Sequence, residues 1–183
     1  MEKKELELYI HIPFCVRKCN YCDFLSFPAD EDTQRQYVKA LCKEIFYYGA
    51  HCRDYVVSTV YIGGGTPSWL WESDMAEIMD AVHKNFALLP DAEVSVECNP
   101  GTVTAQKFAV YRQSGINRIS LGLQSAQNVE LKMLGRIHTW EQFLKTYELA
   151  RSGGFSNINV DLMSSLPGQH IETYADSLQK VCR

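Results

Sequence analysis

The chain has 183 residues, of which 46% are hydrophobic and 22% are charged, which is enough apolar material for the core of one globular domain. Its net charge is -4 and its Lys and Arg residues are scattered, which argues against a nucleic-acid binder, since such proteins need a basic surface to neutralise phosphates. The charged segment 1–5 precedes only a short apolar stretch. We therefore expect no signal peptide, no membrane span and a cytoplasmic location.

A cysteine-rich loop follows the first predicted strand, at residues 8–12. Pro13 ends that strand, and the loop then carries Cys15, Cys19 and Cys22 within eight residues. Thiolates are preferred ligands of iron-sulfur centres, and three on one loop can bind one centre while leaving a coordination position open. The total of seven cysteines, with no export signal, indicates reduced thiols. The other four are predicted to be small core residues: Cys42, Cys52, Cys98 and Cys182.

Helices and strands alternate through the rest of the chain, as judged from apolar spacing, caps and glycine or proline breaks. The first predicted helix covers 32–49, and the strand over 58–62 after it ends in a glycine-rich turn at 63–67. A helix with Ser73 as N-cap and an exit at Pro90 leads to a strand over 93–96, and a helix over 104–114 leads to a strand over 118–123. The next helix opens with a capping box at 139–142 and ends at 153, and it is followed by a strand over 157–160 and a last amphipathic helix.

This alternation implies parallel strands with right-handed crossovers, either in an open doubly wound sheet or in part of a barrel. Both arrangements place their sites at the carboxyl ends of strands, where the cysteine loop, the turn at 63–67, Glu97, Gln124 and Asp161 fall. A complete eight-unit barrel needs roughly 250 residues. We therefore predict an α/β fold, a parallel partial (β/α) barrel truncated before closure, with one domain over 1–183 that is a fragment of a longer protein.

Three kinds of site are compatible with the cysteine loop taken alone. A structural zinc site would need a fourth ligand such as His11, and usually shows paired CxxC units. A redox dithiol at Cys19 and Cys22 would leave Cys15 unused. An iron-sulfur cluster uses all three cysteines, and the residues around the loop favour it.

The run at 9–14, followed by CxxxCxYC, resembles the radical S-adenosylmethionine (radical SAM) family, and its flanks resemble the group that contains oxygen-independent coproporphyrinogen III oxidases and HemW-type heme chaperones. Further motifs that fit this group occur in order at 63–67, 97–101, 117–120, 124–125, 134–138 and 161–163. The resemblance implies the radical SAM type of partial barrel. It also implies a [4Fe-4S] cluster held by Cys15, Cys19 and Cys22, with S-adenosylmethionine on the fourth iron.

The resemblance further implies a set of S-adenosylmethionine contacts. These are Tyr9, Gly64, Gly65, Thr66, Glu97, Gln124, Arg136 and Asp161. Glycines allow close backbone approach, an arginine can pair with the methionine carboxylate, and amide and carboxylate side chains suit ribose hydroxyls. Glu97 would face a cationic part of the cofactor. No catalytic side chain is predicted.

Two departures favour the chaperone over the oxidase within this group. Phe24 stands where the oxidase resemblance predicts a further cysteine, and the chain reaches Cys15 without the oxidase's longer N-terminal segment. The leading hypothesis is a HemW-like chaperone that delivers heme, with heme bound in the full-length protein and an electron donor as partner. An oxidase that decarboxylates coproporphyrinogen III is the alternative, so whether the protein is an enzyme stays open, and a nonenzymatic zinc-binding module is third. Ser165 also departs from the group, where a glycine would match better.

Overall fold

The computed structural model describes residues 4–182 and consists of alternating strands and helices. The strands are β1 (Lys4–Ile12), β2 (Tyr55–Gly64), β3 (Leu88–Cys98), β4 (Arg118–Gln124) and β5 (Asn157–Leu162). The helices are α1 (Glu31–His51), α2 (Glu72–Asn85), α3 (Ala105–Gln113), α4 (Asn128–Met133), α5 (Trp140–Ser152) and α6 (Ile171–Val181), with a 3-10 turn at Pro67–Trp69. Within 4–182, no helix combines the length and the apolar character needed to cross a bilayer.

The strands form one sheet in the order β1-β2-β3-β4-β5, and every neighbouring pair is parallel. A doubly wound sheet reverses its strand order near the middle, whereas strands in chain order form the wall of a barrel. The structure thus decides between the two arrangements that the sequence allowed. With β1 and β5 at opposite edges, the described sheet is an unclosed parallel α/β barrel wall, as predicted.

The two faces of the sheet differ in chemistry because side chains alternate along each strand. One face joins the helices in a common apolar core. Its buried residues are Ile10, Ile12, Val60, Ile62, Val94, Val96, Ile119 and Leu121. The residues between them are largely polar, and Glu97 and Asp161 stand at strand ends on this second face. The helices therefore cover one face, and the other is available for binding.

Several predicted boundaries changed in the structure. The predicted capping box is present at Thr139 and Gln142, but Ser73 lies inside α2, whose N-cap is Trp71 without a side-chain cap. Pro90 lies within β3 rather than at a helix exit. The pairing of β2 with β3 shifts register around this stretch, so the missing N–H of proline breaks no regular ladder.

The four cysteines outside the loop do not share one environment. Cys98 is buried, and burial raises the pKa of its thiol to about 12. Cys42 and Cys52 are half-buried, and Cys182 is exposed. The prediction of a core role is therefore wrong for Cys182.

Ser165 adopts the left-handed conformation, with φ of 60°, in the loop between β5 and α6. A side chain in this region is strained, which is why glycine suits it. Changing Ser165 to glycine is expected to stabilise the chain by about 1 kcal/mol. Urea denaturation measures this change in the free energy of unfolding. The control is Ser164→Gly, next to it, which has no positive φ and should not stabilise; equal effects of the two changes would contradict the prediction.

His138 is a buried histidine, 3% exposed, and the nearby backbone of Leu123 offsets only part of the effect of burial on its pKa. Burial, with the positive charge of Arg136 as a second cause, lowers its pKa to about 4. The pKa of a histidine in the unfolded chain is near 6.5. Between pH 6.5 and pH 4, His138 is therefore protonated in the unfolded chain but neutral in the folded chain. Stability should therefore fall as the pH drops from 6.5 toward 4.

We expect a loss of about 2 kcal/mol of unfolding free energy between pH 7.5 and pH 5 from this one group. Urea denaturation of the wild-type chain and of His138→Leu at both pH values separates it from other titrating groups. The variant should lack this part of the pH dependence. Parallel pH profiles for the two proteins would contradict the assignment.

Candidate functional site

A cleft lies at the carboxyl ends of the strands, on the face away from the helices. It brings together all of the predicted site residues except Tyr9, namely Cys15, Cys19, Cys22, Gly64, Gly65, Thr66, Glu97, Gln124, Arg136 and Asp161. These residues come from the cysteine loop, the ends of four strands (β2 to β5), the turn after β2 and the segment after α4. They meet because parallel strands all end at the same edge of the sheet.

The cysteine loop is closed at its base by backbone hydrogen bonds. The N–H of Cys15 donates to the carbonyl of Phe27 at 3.1 Å, and the N–H of Phe27 donates to the carbonyl of Pro13 at 2.9 Å. Phe14 between them is buried. Within the loop, the N–H of Cys22 donates to the carbonyl of Cys19 at 3.2 Å. The three free, half-buried thiols are thereby held along one wall of the cleft.

The glycine turn at the end of β2 packs directly on this loop. The N–H of Gly65 donates to the carbonyl of Ile12 at 2.8 Å, and the hydroxyl of Thr66 donates to Cys15 Sγ at 3.4 Å. A Cβ on Gly65 would lie 2.7 Å from the carbonyl oxygen of Phe14 and 3.0 Å from Cys15 Sγ. Any larger residue would push the loop away, so the glycine sets the distance between the turn and the thiols.

Glu97 at the end of β3 is a partly buried carboxylate on the floor of the cleft. It accepts hydrogen bonds from the N–H of Gly64 at 3.0 Å and from the hydroxyl of Tyr61 at 2.8 Å. Burial raises the pKa of Glu97, although both hydrogen bonds act in the opposite direction. A positively charged group in the cleft would favour its ionised form.

Tyr9 lies outside the cleft, in contrast to the other predicted contacts. Its side chain is 60% exposed, its hydroxyl lies 3.1 Å from Nδ1 of His11, and its ring stacks on Tyr61 at a centroid distance of 6.2 Å. Tyr61 in turn donates to Glu97. Tyr9 therefore lies at the edge of the site, where burial and then the charge of Glu97 raise the pKa of its hydroxyl.

Arg136 crosses the cleft toward the cysteine loop. Its Nη2 donates to Asn99 Oδ1 at 2.6 Å and to the carbonyl of Gly122 at 2.7 Å, and its Nη1 lies 3.8 Å from Cys19 Sγ. Its Nε is buried and has no partner within residues 4–182. The guanidinium thus places its positive charge beside a loop thiol at the cleft wall, which suits an anionic group bound there.

Asp161 and Gln124 stand at the ends of β5 and β4. Asp161 accepts from Ser120 Oγ at 3.1 Å and from Asn159 Nδ2 at 2.7 Å, one donor on each carboxylate oxygen. Gln124 has a φ of 73°, and the pairing of β4 with β5 shifts register beside it. Such a strained, irregular strand end is typical of functional positions.

Sequence reasoning missed the residues that support these groups, including Asn99, Ser120 and Asn159. Each holds a predicted site residue through a side-chain hydrogen bond. The alternation of Asn159 with Asp161 along β5 is a signal that could have pointed to one of them. Asn99 and Ser120 lie inside the motifs at 97–101 and 117–120, but their partners come from distant parts of the chain, so the sequence alone did not assign them a role.

The protein ligands available to a single metal ion are limited. Both ring nitrogens of His11 have protein partners, Nδ1 with Tyr9 and Nε2 with the carbonyl of Leu25 at 3.0 Å. The described part of the chain contains no group of three or more His, Cys, Asp and Glu side chains placed to hold one ion. The three thiols line one cleft, but in this structure they do not converge on a single point where one ion could be held.

Comparisons with known proteins agree on one family. The model of the Radical SAM superfamily matches residues 9–181. Heme chaperone HemW of Escherichia coli strain K12 is 42% identical over 176 residues, covering 96% of this chain and 47% of that protein. Heme chaperone HemW of Bacillus subtilis strain 168 is 36% identical over 173 residues, covering 93% of this chain and 45% of that protein.

A solved structure, coproporphyrinogen III oxidase (HemN) from Escherichia coli, described as a radical SAM enzyme, is also similar. It superposes with a TM-score of 0.90 at 31% identity, covering 99% of this chain and 42% of the oxidase chain. The chain therefore spans less than half the length of the relatives that it matches.

Proposed function

Because this chain belongs to the radical SAM superfamily, we propose that its cleft binds a [4Fe-4S] cluster together with S-adenosylmethionine, in a HemW-like protein that delivers heme. One observation carries the binding proposal. The loop thiols line the same cleft as Arg136, whose guanidinium Nη1 lies 3.8 Å from Cys19 Sγ, so a fixed positive charge stands beside the cysteine loop.

The donor set of the cleft fits both groups. Cys15, Cys19 and Cys22 line the cleft and would hold three irons, and the fourth iron would be left for S-adenosylmethionine. When bound, the cluster and S-adenosylmethionine would supply reductive cleavage of a carbon–sulfur bond and radical chemistry. The protein's contribution is to bind, to orient and to shield.

Each predicted contact in the cleft has a binding role under this proposal. Arg136 would pair with the methionine carboxylate through its guanidinium, and Glu97, whose pKa is raised by burial, would face a cationic part of the cofactor. Gln124 and Asp161 would bind ribose hydroxyls, and Ser120 and Asn159 hold the Asp161 carboxylate in place for this. Gly64, Gly65 and Thr66 would let the methionine end approach the loop closely.

The chaperone proposal is supported by sequence more than by fold. Proteins named heme chaperone HemW reach 42% identity, and Phe24 replaces the cysteine that the oxidase resemblance predicts. The oxidase alternative is supported by the TM-score of 0.90 to HemN. Heme binding, the heme acceptor, the electron donor and a cytoplasmic location stay predictions that rest on these relatives and on the sequence.

The zinc-binding module has the least support. It would need a fourth ligand, and both ring nitrogens of His11, the ligand proposed for it, are hydrogen bonded to Tyr9 and Leu25.

Anaerobic reconstitution with iron and sulfide tests the proposal. We expect a reduced cluster whose electron paramagnetic resonance (EPR) spectrum changes when S-adenosylmethionine is added. A spectrum that ignores S-adenosylmethionine, or stoichiometric zinc in place of iron, would contradict it. Heme titration and a coproporphyrinogen III consumption assay, on a version extended to the length of the relatives, then separate chaperone from oxidase: consumption would reject the chaperone.

A further inference from the structure

The cysteine loop is tied to a segment of the chain that lies 118 positions away. Arg17 donates to the carbonyl of Gly135 through Nη2 at 2.7 Å and through Nε at 3.1 Å. Asn20 donates through Nδ2 to the carbonyl of Met133 at 2.8 Å and through its backbone N–H to the carbonyl of Leu134 at 3.0 Å. We call these contacts of Arg17 and Asn20 with three successive carbonyls the loop latch.

The loop latch satisfies groups that a helix end leaves open. Helix α4 ends at Met133, and the last carbonyls of a helix have no partner within it. A single loop supplies donors to the carbonyls of residues 133, 134 and 135. The position of the cysteine loop is therefore coupled to the end of α4.

Gly135 permits this contact to be close. It has a φ of 73°, and a Cβ at this position would lie 3.0 Å from Asn20 Oδ1 and 3.1 Å from Asn20 Cγ. A larger residue would strain the backbone and press against Asn20. The glycine thus serves both the turn and the approach of the loop.

Arg136 follows directly after this turn, and its guanidinium contacts the cysteine loop at Cys19 Sγ. The loop and the segment that carries Arg136 are thereby joined twice, by the loop latch and by the guanidinium. Within residues 4–182, Arg17 donates only to backbone carbonyls, those of Gly135 and, at 3.5 Å, Arg136, and it pairs with no carboxylate. Its charge is used to hold this segment.

We propose that Arg17 and Asn20 are positioning residues that fix the separation between the cluster-bearing loop and Arg136, so that S-adenosylmethionine meets the cluster in one orientation. This inference rests on the proposed function and deepens it. Neither side chain needs to touch the cofactor. Both act through the backbone that carries Arg136.

The double variant Arg17→Ala with Asn20→Ala tests the loop latch. After anaerobic reconstitution we expect iron and sulfide contents equal to wild type, because the three thiols remain. The affinity for S-adenosylmethionine should fall about tenfold, which corresponds to ~1.4 kcal/mol. The EPR change on adding S-adenosylmethionine should become smaller and broader, and Arg17→Lys, which keeps the charge and a single donor nitrogen but loses the planar fork, should give an intermediate response.

The matched control is Lys132→Ala, which removes an exposed cation from the neighbouring helix α4 and should behave as wild type. Wild-type affinity and spectra in the double variant would overturn the inference while leaving the proposed function intact. Failure of the double variant to assemble a cluster would also overturn it, since the contacts would then fold the loop rather than align it. If the EPR spectrum of the reconstituted wild-type protein does not change when S-adenosylmethionine is added, the proposed function itself is rejected.

Discussion

Replacing Cys19 with serine is expected to abolish the iron-sulfur cluster, lowering iron from about four per chain to background after anaerobic reconstitution. Cys19 lines the cleft between the other two loop cysteines in sequence and lies 3.8 Å from Nη1 of Arg136. A serine hydroxyl is a harder and far less acidic ligand than a thiol, so two thiolates would remain. Iron and sulfide analysis and the absorption spectrum measure the effect.

The control for this change is Cys182→Ser. Cys182 is an exposed, free cysteine at the end of α6 and does not line the cleft. It should keep full iron and an unchanged spectrum, which shows that the loss is specific to the loop. Full cluster content in Cys19→Ser would contradict the assignment of the loop as the iron ligand set, and the functional proposal would fail with it.

Replacing Arg136 with leucine is expected to weaken S-adenosylmethionine binding about 100-fold, or ~3 kcal/mol, with the cluster retained. The change removes the unpaired Nε donor and also leaves Asn99 Oδ1 and the carbonyl of Gly122 without their donor. The carboxylate of the cofactor would then lose its charge partner in a partly buried site. Equilibrium binding to the reconstituted protein, followed by EPR, measures the loss.

Two further variants show whether the loss of affinity in Arg136→Leu is specific to that side chain. Arg136→Lys keeps the charge but not the planar fork, so it should recover only part of the affinity. Arg151→Leu removes an arginine that also donates to backbone carbonyls, those of Phe155 and Ser156, but lies outside the cleft, and it should bind normally. Normal binding by Arg136→Leu, or an equal loss in Arg151→Leu, would contradict the role of Arg136.

Much of the cleft could be predicted because its residues occur at strand ends that are visible in the sequence. The loop after β1, the glycine turn after β2, Glu97, Gln124 and Asp161 all follow apolar strand patterns, and parallel strands bring such ends together. The partners of these residues could not be predicted. Asn20 and Met133 are 113 positions apart, and no local pattern reports a hydrogen bond between them.

Tyr9 shows what a family resemblance leaves open about the position of a side chain. The family resemblance implied a contact with the cofactor, which stays a prediction, and the tertiary structure adds that the ring stacks on Tyr61 and is 60% exposed beside the cleft. The face of the sheet on which a side chain lies is set by alternation along the strand. Its distance from the site depends instead on the register with the neighbouring strand. Tyr9 pairs with Tyr61, which places it below the level of Gly64.

By itself, the sequence determined the alternation of parallel strands and helices, the location of the polar groups at strand ends and the family of the cysteine loop. Only the tertiary structure decided that the strands follow one another in chain order, so that the sheet is a barrel wall and not a doubly wound sheet. It also decided that the loop latch ties the cysteine loop to the residues directly before Arg136. The physical reason is that periodicity and caps report each segment's own burial and ends, while strand order and side-chain partners depend on how distant segments pack.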